Sequence, residues 1–403
     1  MLLVMFMKVE ILRFDDFGRG ICYIDDKVTF VPFAVPGDVL EIEIIKEKKN
    51  YNEGKIVKII KPSKNRVVPP CPYFGVCGGC SYQMLRYEEN LLEKQNNVIN
   101  YFKKNGLLIN PSIIKNDKPY NYRNKITLKI VNRKIGYFKN NSHDIVEINK
   151  CLLAENKINE VIKLISSLNI INGEVIIRCN FKDEILIIIS TNDNVVLSKI
   201  KDIKNLKGII LNNKTIYGDN YFIEEVNDIK YNVAYDAFFQ VNRLVCAKMF
   251  KLAQDFACES DIVLDLYSGV GTLGLSAARK AKEVVGVEIN KNAVNNANEN
   301  VKLNNLTNAL FIYSDAGDIK NLDINFNKLI VDPPRAGLSE DTINFINKRL
   351  PEEIMYISCD YHTQVRDLKL LDDYEIIDSY VCDLFSYTYH VESIVSLKLK
   401  SVR

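Results

Sequence analysis

From residue 241 onward, helical periodicity and short apolar strand-like bursts alternate, and that alternation restricts the fold more than any other feature of the chain. Helices are expected over 241–257, 272–281, 291–304, 339–349 and 363–370, and strands at Ile262–Leu266, Glu283–Glu288, 309–313, Lys328–Val331 and Ile354–Ser358. A strand, a helix and a second strand in succession argue for a parallel pair with the helix crossing one face. Two longer strands, 374–384 and 391–400, close the sequence with no helix between them and read as an antiparallel edge hairpin. The expected fold is α/β: a mostly parallel sheet covered on both faces, as in Rossmann-like nucleotide-cofactor domains.

Such sheets bind ligands outside the carboxyl ends of their strands, so the residues that end each strand are the first candidates for chemistry. Asp265-Leu-Tyr-Ser-Gly-Val-Gly-Thr-Leu-Gly274 leaves the first strand and enters a helix. Gly269, Gly271 and Gly274 have G-x-G-x-x-G spacing, which serves close approach of backbone to ligand beside an electropositive helix start. NAD and S-adenosylmethionine both fit that motif. Glu288 ends the next strand, where a carboxylate accepts both hydroxyls of a ribose. Asp265 tips the balance, because a carboxylate there repels a pyrophosphate and suits the cationic amino acid part of S-adenosylmethionine. Asp315 is placed to accept from an adenine amine, with a plain loop carboxylate as its alternative. Asp332, in the proline-stiffened Asp332-Pro-Pro-Arg335, is placed to orient an acceptor base.

Cys359 follows another parallel strand. A thiol there is ordinary packing unless a proton acceptor is near. Glu392, in His390-Val-Glu392 at the start of the closing strand, supplies one if the hairpin returns it to the same edge; His362 and His390 are alternative proton carriers. The pair suits pyrimidine methylation. Carbon 5 of uracil is a poor nucleophile until a thiolate adds at carbon 6, and a base must then remove the carbon 5 proton. Attack is assigned to Cys359, proton removal to Glu392 and positioning to Asp332.

The first 62 residues differ in kind. Five apolar bursts, Met5–Phe14, Gly20–Ile24, Val28–Pro32, Val39–Ile45 and Lys55–Ile60, argue a small closed barrel of the oligonucleotide-binding type. The opening Met1–Met7 reads as its first strand and not as a signal peptide. Gly18 and Gly20 sit where a sharp bend or close approach by a partner is needed. A linker over 63–70, a helix over 85–105 and a second β-rich block to about residue 215 follow, with a helix near Asn156–Leu168. No apolar run reaches the length of a membrane helix, so the cytoplasm is the expected location. Net charge is only +2, yet ten basic residues and one acid, Asp117, lie between Lys103 and Lys139. A solvated face is the plain reading; an RNA surface is the other, with Arg123, Lys125, Arg133 and Lys134 on phosphates and Tyr120, Tyr122, Tyr137 and Phe138 beside them.

Ten cysteines in a cytoplasmic chain argue against a disulfide framework. Cys71-x5-Cys77-Gly-Gly-Cys80 groups three thiols around two glycines and points to a metal or an iron–sulfur site, and spacing does not choose between zinc and iron. Cys22, Cys179, Cys246, Cys258 and Cys382 read as core or neutral surface thiols.

Taken in order, Phe238-Phe-Gln-Val-Asn242, Asp265–Gly274, Asp332–Gly337, Ser358-Cys359 and His390-Val-Glu392 resemble the bacterial RNA uracil-5-methyltransferases, especially those acting on 23S ribosomal RNA, and the likeness spans nearly the whole chain. The resemblance implies a TRAM RNA-binding barrel over 1–62, an iron–sulfur and β-rich RNA-binding region over 63–215 and a Rossmann-like methyltransferase domain over 216–403, with helix 85–105 packing on the last. It implies that Gln240, Tyr267, Glu288 and Asp332 line the cofactor and target pocket, and that Cys359 and Glu392 react as argued. It also implies a structural [4Fe–4S] cluster on Cys71, Cys77 and Cys80 with Cys151 as fourth ligand. Ser268, Asp360-Tyr361 and Phe385-Ser-Tyr-Thr388 depart from the usual pattern and bear on substrate detail more than on reaction class. The expected substrate is a uridine of 23S rRNA, acted on by a monomer with no membrane or obligate protein partner. Methylation of the uracil-54 region of transfer RNA, and a non-catalytic RNA assembly factor, are the alternatives.

Overall fold

The computed structural model describes residues 6–140, 142–316 and 324–401. The N-terminal segment forms a six-stranded sheet: β1 (Phe6–Glu10), β2 (Arg13–Phe14), β3 (Arg19–Ile24), β4 (Lys27–Pro32), β5 (Val39–Glu47) and β6 (Tyr51–Lys61), in the order β1-β5-β6-β4-β3-β2. Six strands replace the five expected because the first burst divides, β1 pairing with β5 and β2 with β3. Residues 1–5 of the expected opening strand lie outside the described residues. Inward positions of successive strands, including Val9, Cys22, Val31, Leu40 and Ile42, make the core. The close approaches at Gly18 and Gly20 come from the chain itself and not from a partner. A Cβ on Gly18 (φ 77°) would lie 2.9 Å from Tyr82, and one on Gly20 would lie 2.8 Å from Ala34 and Ile11. Arg66 of the linker is tied to the sheet by an ion pair with the fully buried Asp38 (2.5 Å).

After α1 (Tyr87–Lys104) and the short β7 (Ser112–Ile114) comes the central sheet, formed by β8 (Lys125–Val131), β9 (Lys134–Phe138), β10 (Ile145–Glu147), β11 (Gly173–Cys179), β12 (Ile185–Thr191), β13 (Leu206–Leu211) and β14 (Lys214–Gly218). Its order is β10-β9-β8-β11-β12-β13-β14. Helix α2 (Asn156–Ile165) buries Ile158, Val161, Ile162 and Ile165 with Leu128, Val175, Ile177 and Ile187 of the sheet. A hairpin of β15 (Tyr221–Val226) and β16 (Ile229–Ala234) follows, and its Phe222, Tyr231 and Val233 enter the core of the next sheet.

That sheet carries the expected α/β alternation: α3 (Arg243–Phe256), β17 (Ile262–Leu266), α4 (Thr272–Ala278), β18 (Glu283–Glu288), α5 (Lys291–Leu303), β19 (Ala309–Tyr313), β20 (Lys328–Val331), α6 (Glu340–Arg349), β21 (Glu353–Ser358), α7 (Tyr361–Leu368), β22 (Tyr374–Cys382) and β23 (Glu392–Leu399). Strand order is β19-β18-β17-β20-β21-β23-β22-β7, with β17 to β21 parallel and β23 antiparallel to both β21 and β22. Adjacent residues feed opposite faces: Val263 joins the core containing α3, α4 and α5, and Leu264 the core containing α6, α7 and Val98 and Phe102 of α1. The expected edge hairpin is corrected. β22 is covered by β7, which pairs parallel to it with Ser112 opposite Tyr380. Lys94 of α1 reaches Asp383, just past β22, at 2.6 Å, and both side chains are 1% exposed. Asp383 also accepts hydrogen bonds from Tyr87 and Ser386, each 2.6 Å. No helix among the described residues is long and apolar enough to cross a membrane.

Candidate active site

Backbone register decides which residues meet. In the antiparallel ladder of β21 and β23, Ser358 stands opposite Ser393. Cys359 is one residue beyond the first and Glu392 one before the second, so continuing the register sets them opposite each other. Val331 pairs with Tyr356 on the other side of β21, which brings Asp332 to the same end of the sheet. Three groups far apart in sequence therefore converge.

Their electrostatics are mutually adverse. Burial pushes the Cys359 thiol up to about 11, with the Glu392 and Asp332 carboxylates adding to the push and Arg335 opposing it. Glu392 is 6% exposed. Its carboxyl lies well above the usual range because of burial and then Asp332, again opposed by Arg335. Burial raises Asp332 to about 7. His390 is pushed down to about 4 by burial and by Arg335, Lys94 and Arg123, so its ring is neutral at pH 7. Both shifts favour the protonated forms of Cys359 and Glu392, and Arg335 is the cation that opposes them. Arg335 was visible in sequence only as the end of the Asp-Pro-Pro turn, and nothing local marked it as a partner of Cys359.

The glycine turn after β17 is shaped for a ligand. Tyr267 (φ 62°) and Gly269 (φ 55°) are both left-handed, and a Cβ on Gly269 would meet nothing within 4 Å among the described residues. The turn therefore faces open space, a cradle into which a cofactor fits. Glu288 accepts from the Gly269 N–H (3.0 Å) and the Asn290 N–H (2.7 Å), which fixes its carboxylate beside the turn. Tyr267 Oη hydrogen-bonds Thr342 Oγ1 of α6 (3.1 Å). Tyr267 and Asp315 share a cavity of about 770 Å³ with Ser339 and Arg366. Gln240 is half-buried, and its carbonyl accepts from the Asn124 side chain (3.1 Å). Asp265 departs from the expected direct contact. It is 0% exposed, one carboxylate oxygen accepts from the Gly274 N–H (2.9 Å), and the other has no partner among the described residues. Burial raises it to about 8 despite that N–H, with Asp332 and Glu288 adding to the shift. It braces the turn through the Gly274 N–H of α4, and its full burial leaves it no exposed surface.

Residues 205–400 match the family described as tRNA (uracil-5-)-methyltransferase, and residues 6–57 match the TRAM domain. An uncharacterized RNA methyltransferase of Clostridium acetobutylicum is 34% identical, over 97% of this chain and 96% of its own length. The chain belongs to the RNA uracil-5-methyltransferase family. Another uncharacterized RNA methyltransferase, from Staphylococcus aureus, is 32% identical over 95% of this chain and 96% of its own. Among solved structures, the tRNA (uracil-54, C5)-methyltransferase of Pyrococcus abyssi, in complex with S-adenosyl-L-homocysteine, superposes with a TM-score of 0.83 at 26% identity, covering 97% of this chain and 99% of that one. As a member of the family, the protein is an S-adenosylmethionine-dependent RNA methyltransferase with an N-terminal TRAM domain.

A second constellation lies in the N-terminal half of this methyltransferase. Cys71, Cys77, Cys80 and Cys151 line one cavity of about 50 Å³, together with Gln83, Arg123 and Tyr137. Burial raises the Cys71 and Cys77 thiols, and Cys80 to about 12. Gln83 donates to Cys80 Sγ (3.2 Å). Among the described residues, the metal-ligating atoms that gather in a trio within 4.8 Å are those of Glu155, Cys179 and Asp183, not any three of these thiols. Glu155 is already paired with Arg243 (2.7 Å).

The four basic candidates for RNA contact part company. Arg133 and Lys134 sit exposed at the β8–β9 turn. Lys125 is half-buried on β8, and burial followed by Arg178 lowers its pKa. Arg123 faces the cysteine cavity. The aromatic residues beside them are largely packed: Tyr120 stacks on Tyr387 (4.7 Å between centroids), Tyr122 is 4% exposed, and Tyr137 lines the cavity.

Proposed function

We propose that the protein methylates carbon 5 of a uridine in 23S rRNA through a covalent bond between Cys359 Sγ and carbon 6 of the base, with Glu392 as the base that removes the carbon 5 proton. The register of β21 and β23, which continued by one residue brings Cys359 opposite Glu392, carries the reading. When bound, S-adenosylmethionine supplies an electrophilic methyl group. Gln240, Tyr267, Gly269, Gly271, Glu288 and Asp315 hold it, Asp265 acts through the turn above it, and Asp332 orients the uracil.

The protein's own steps follow from the protonation just described. As the Cys359 sulfur bonds to carbon 6, its proton passes to the carbonyl oxygen on carbon 4 and the C5=C6 pair becomes that of an enol. Carbon 5 then takes the methyl group as the oxygen gives up its proton to solvent and the carbonyl returns. Glu392, having first released its own proton to solvent, accepts the carbon 5 proton. The freed pair rebuilds C5=C6 and the C6–S bond breaks, releasing thiolate. Arg335 favours both anions, the thiolate and the Glu392 carboxylate, because its cation already opposes their upward shifts. The target base must leave its stack, since a duplex hides carbon 5 from this edge.

The four cavity thiols fit a [4Fe–4S] cluster, which would hold the central region in shape; methyl transfer needs no electron from it. Three units, 1–62, 63–215 and 216–403, divide the work, with Lys125, Arg133 and Lys134 among the phosphate contacts, in a monomer acting in the cytoplasm. A second reading, a uridine near position 54 of transfer RNA, is favoured by the likeness to the Pyrococcus abyssi enzyme. Purified holoprotein incubated with labelled methyl donor and, separately, 23S rRNA and transfer RNA decides between them. Labelled 5-methyluridine in 23S rRNA supports the first reading and label in transfer RNA alone transfers support to the second. Label in neither overturns both.

A further inference from the structure

One arginine stands between the two constellations with no carboxylate partner among the described residues. Arg123 is held by its backbone, its N–H donating to Leu153 O (2.8 Å) and its carbonyl accepting from the Glu155 N–H (3.0 Å). Its side chain lines the cavity with the four cysteines. The guanidinium lies 5.9 Å from the Tyr122 ring centroid and 5.8 Å from that of Phe385, and its Nε donates a long hydrogen bond to Tyr122 Oη (3.4 Å). Arg123 is half-buried, and setting a guanidinium away from water beside rings and thiols is costly unless an anion meets it. Four coordinated thiolates are such an anion.

The far side of Arg123 leads to the catalytic edge. Phe385 packs edge-on to His390 (5.9 Å), two residues before Glu392. Tyr122 Oη donates to Ser386 O (3.3 Å). The Ser81 and Tyr82 N–H groups, directly after Cys80, both donate to Tyr387 O (2.9 and 3.0 Å). Lys94 pins the same turn from the other side, through Asp383 and through Phe385 O (3.0 Å).

We infer that Arg123 is a positioning residue that joins the four-cysteine centre to the turn 383–390: it balances the coordinated thiolates on one side and packs on Phe385 on the other, so that a loaded centre holds the approach to Glu392 in place. The inference rests on the reading that these cysteines hold an iron–sulfur cluster, a group whose electronics depend on charges just outside its ligands.

The test uses the full chain purified anaerobically, as wild type, Arg123→Met, Arg123→Lys and Phe385→Leu. Iron and sulfide content, the reduced fraction of the centre at fixed potential, hydrogen exchange in 383–390, and kcat and KM are read on each. Removing the cation in Arg123→Met is expected to leave about tenfold less reduced centre at a given potential, which is about 59 mV for one electron. Arg123→Lys restores most of it. Exchange in 383–390 rises in Arg123→Met and in wild type stripped of iron, and kcat falls about tenfold while KM for RNA stays within about twofold. Phe385→Leu raises exchange and leaves the potential alone. An unchanged potential and unchanged exchange in iron-loaded Arg123→Met, with a raised KM and weaker salt dependence, makes Arg123 a phosphate contact and overturns the inference while sparing the cluster. Wild type without iron and sulfide overturns the cluster and the inference with it. If Arg123→Met does not fold, an unchanged potential in Arg123→Lys together with unchanged exchange in Phe385→Leu overturns it.

Discussion

The catalytic edge and the cysteine cavity both collect residues from distant parts of the chain, but they do so by different means. At the catalytic edge, Asp332, Cys359 and Glu392 follow or begin strands, and hydrogen-bonded register places them. At the cavity, Cys71, Cys77 and Cys80 lie outside any helix or strand. That segment is anchored by isolated contacts: Tyr73 Oη to Asn149 (2.9 Å), the Gly78 N–H to Phe138 O (3.1 Å), and a bridge between Cys77 and Lys139. A sheet end fixes a side chain before any ligand arrives. A loop held at a few points is completed by what it binds. The charges differ as well: the edge crowds three acids around one exposed cation, Arg335, while the cavity sets one half-buried cation, Arg123, against four thiols.

Five variants break or sharpen that contrast. Cys359→Ala is expected to lower methyl transfer by about 10⁴-fold or more while leaving iron content unchanged; labelled-methyl incorporation above a tenth of wild type removes covalent catalysis. Glu392→Gln should slow release by about 10²- to 10⁴-fold, so that methylated RNA stays bonded to protein and shifts on a denaturing gel. Release at the normal rate would show that another group takes the proton. Cys80→Ser acts on the loop-held site. Wild type should carry about four irons and four labile sulfides, and the variant none, with a melting temperature lower by about 4–8 °C for a destabilisation of about 2 kcal/mol. One zinc without sulfide in wild type defeats the cluster.

Asp265→Asn probes the crowding of acids at the edge. The Asp265 carboxyl has its folded pKa raised to about 8, far above its unfolded value of about 3.9. The folded chain therefore binds a proton that the unfolded chain has released, and this group's contribution to stability falls as pH rises between those two values. The amide has no such titration, so thermal unfolding should show the variant gaining on wild type from pH 5 to pH 8; a constant difference means that Asp265 is ionised in the native state. The smallest effect belongs to the exposed β8–β9 turn. Arg133→Ala with Lys134→Ala should raise KM for RNA about threefold, leave kcat alone and reduce the salt slope by about 1 for each phosphate no longer neutralised. No change in KM or slope takes that turn off the RNA path.

The catalytic sheet was the most legible part of the sequence, because parallel strands gather their ends in one place by topology. Ile262–Leu266, Glu283–Glu288 and Lys328–Val331 lie where periodicity puts them. Side-chain direction was harder to read. Charge logic set Asp265 against a ligand, but the Gly274 N–H holds it under the turn. Arg123 looked like one more member of a basic run, and only the folded chain shows it turned toward Cys80 and Phe385. β7 was invisible for another reason. Three residues make no periodic pattern, and their pairing comes entirely from a strand elsewhere in the chain. The glycines of the barrel signalled tight space correctly, but no sequence pattern says that Tyr82 and Ala34 fill it.

The pairing of Ser112 with Tyr380 also has a consequence in time. At ordinary ribosomal speeds of about 5–20 residues per second, some 270 positions take about 13–54 s to emerge. For that interval β7 has no strand to lie against, and the apolar face of α1 has only part of its core. The enzyme can be assembled by halves but not finished by halves: α1 and β7 wait, exposed, for nearly the last strands to be made. A nascent chain broken off in between would carry α1 with its apolar face uncovered, the kind of surface that folding helpers and proteases recognise.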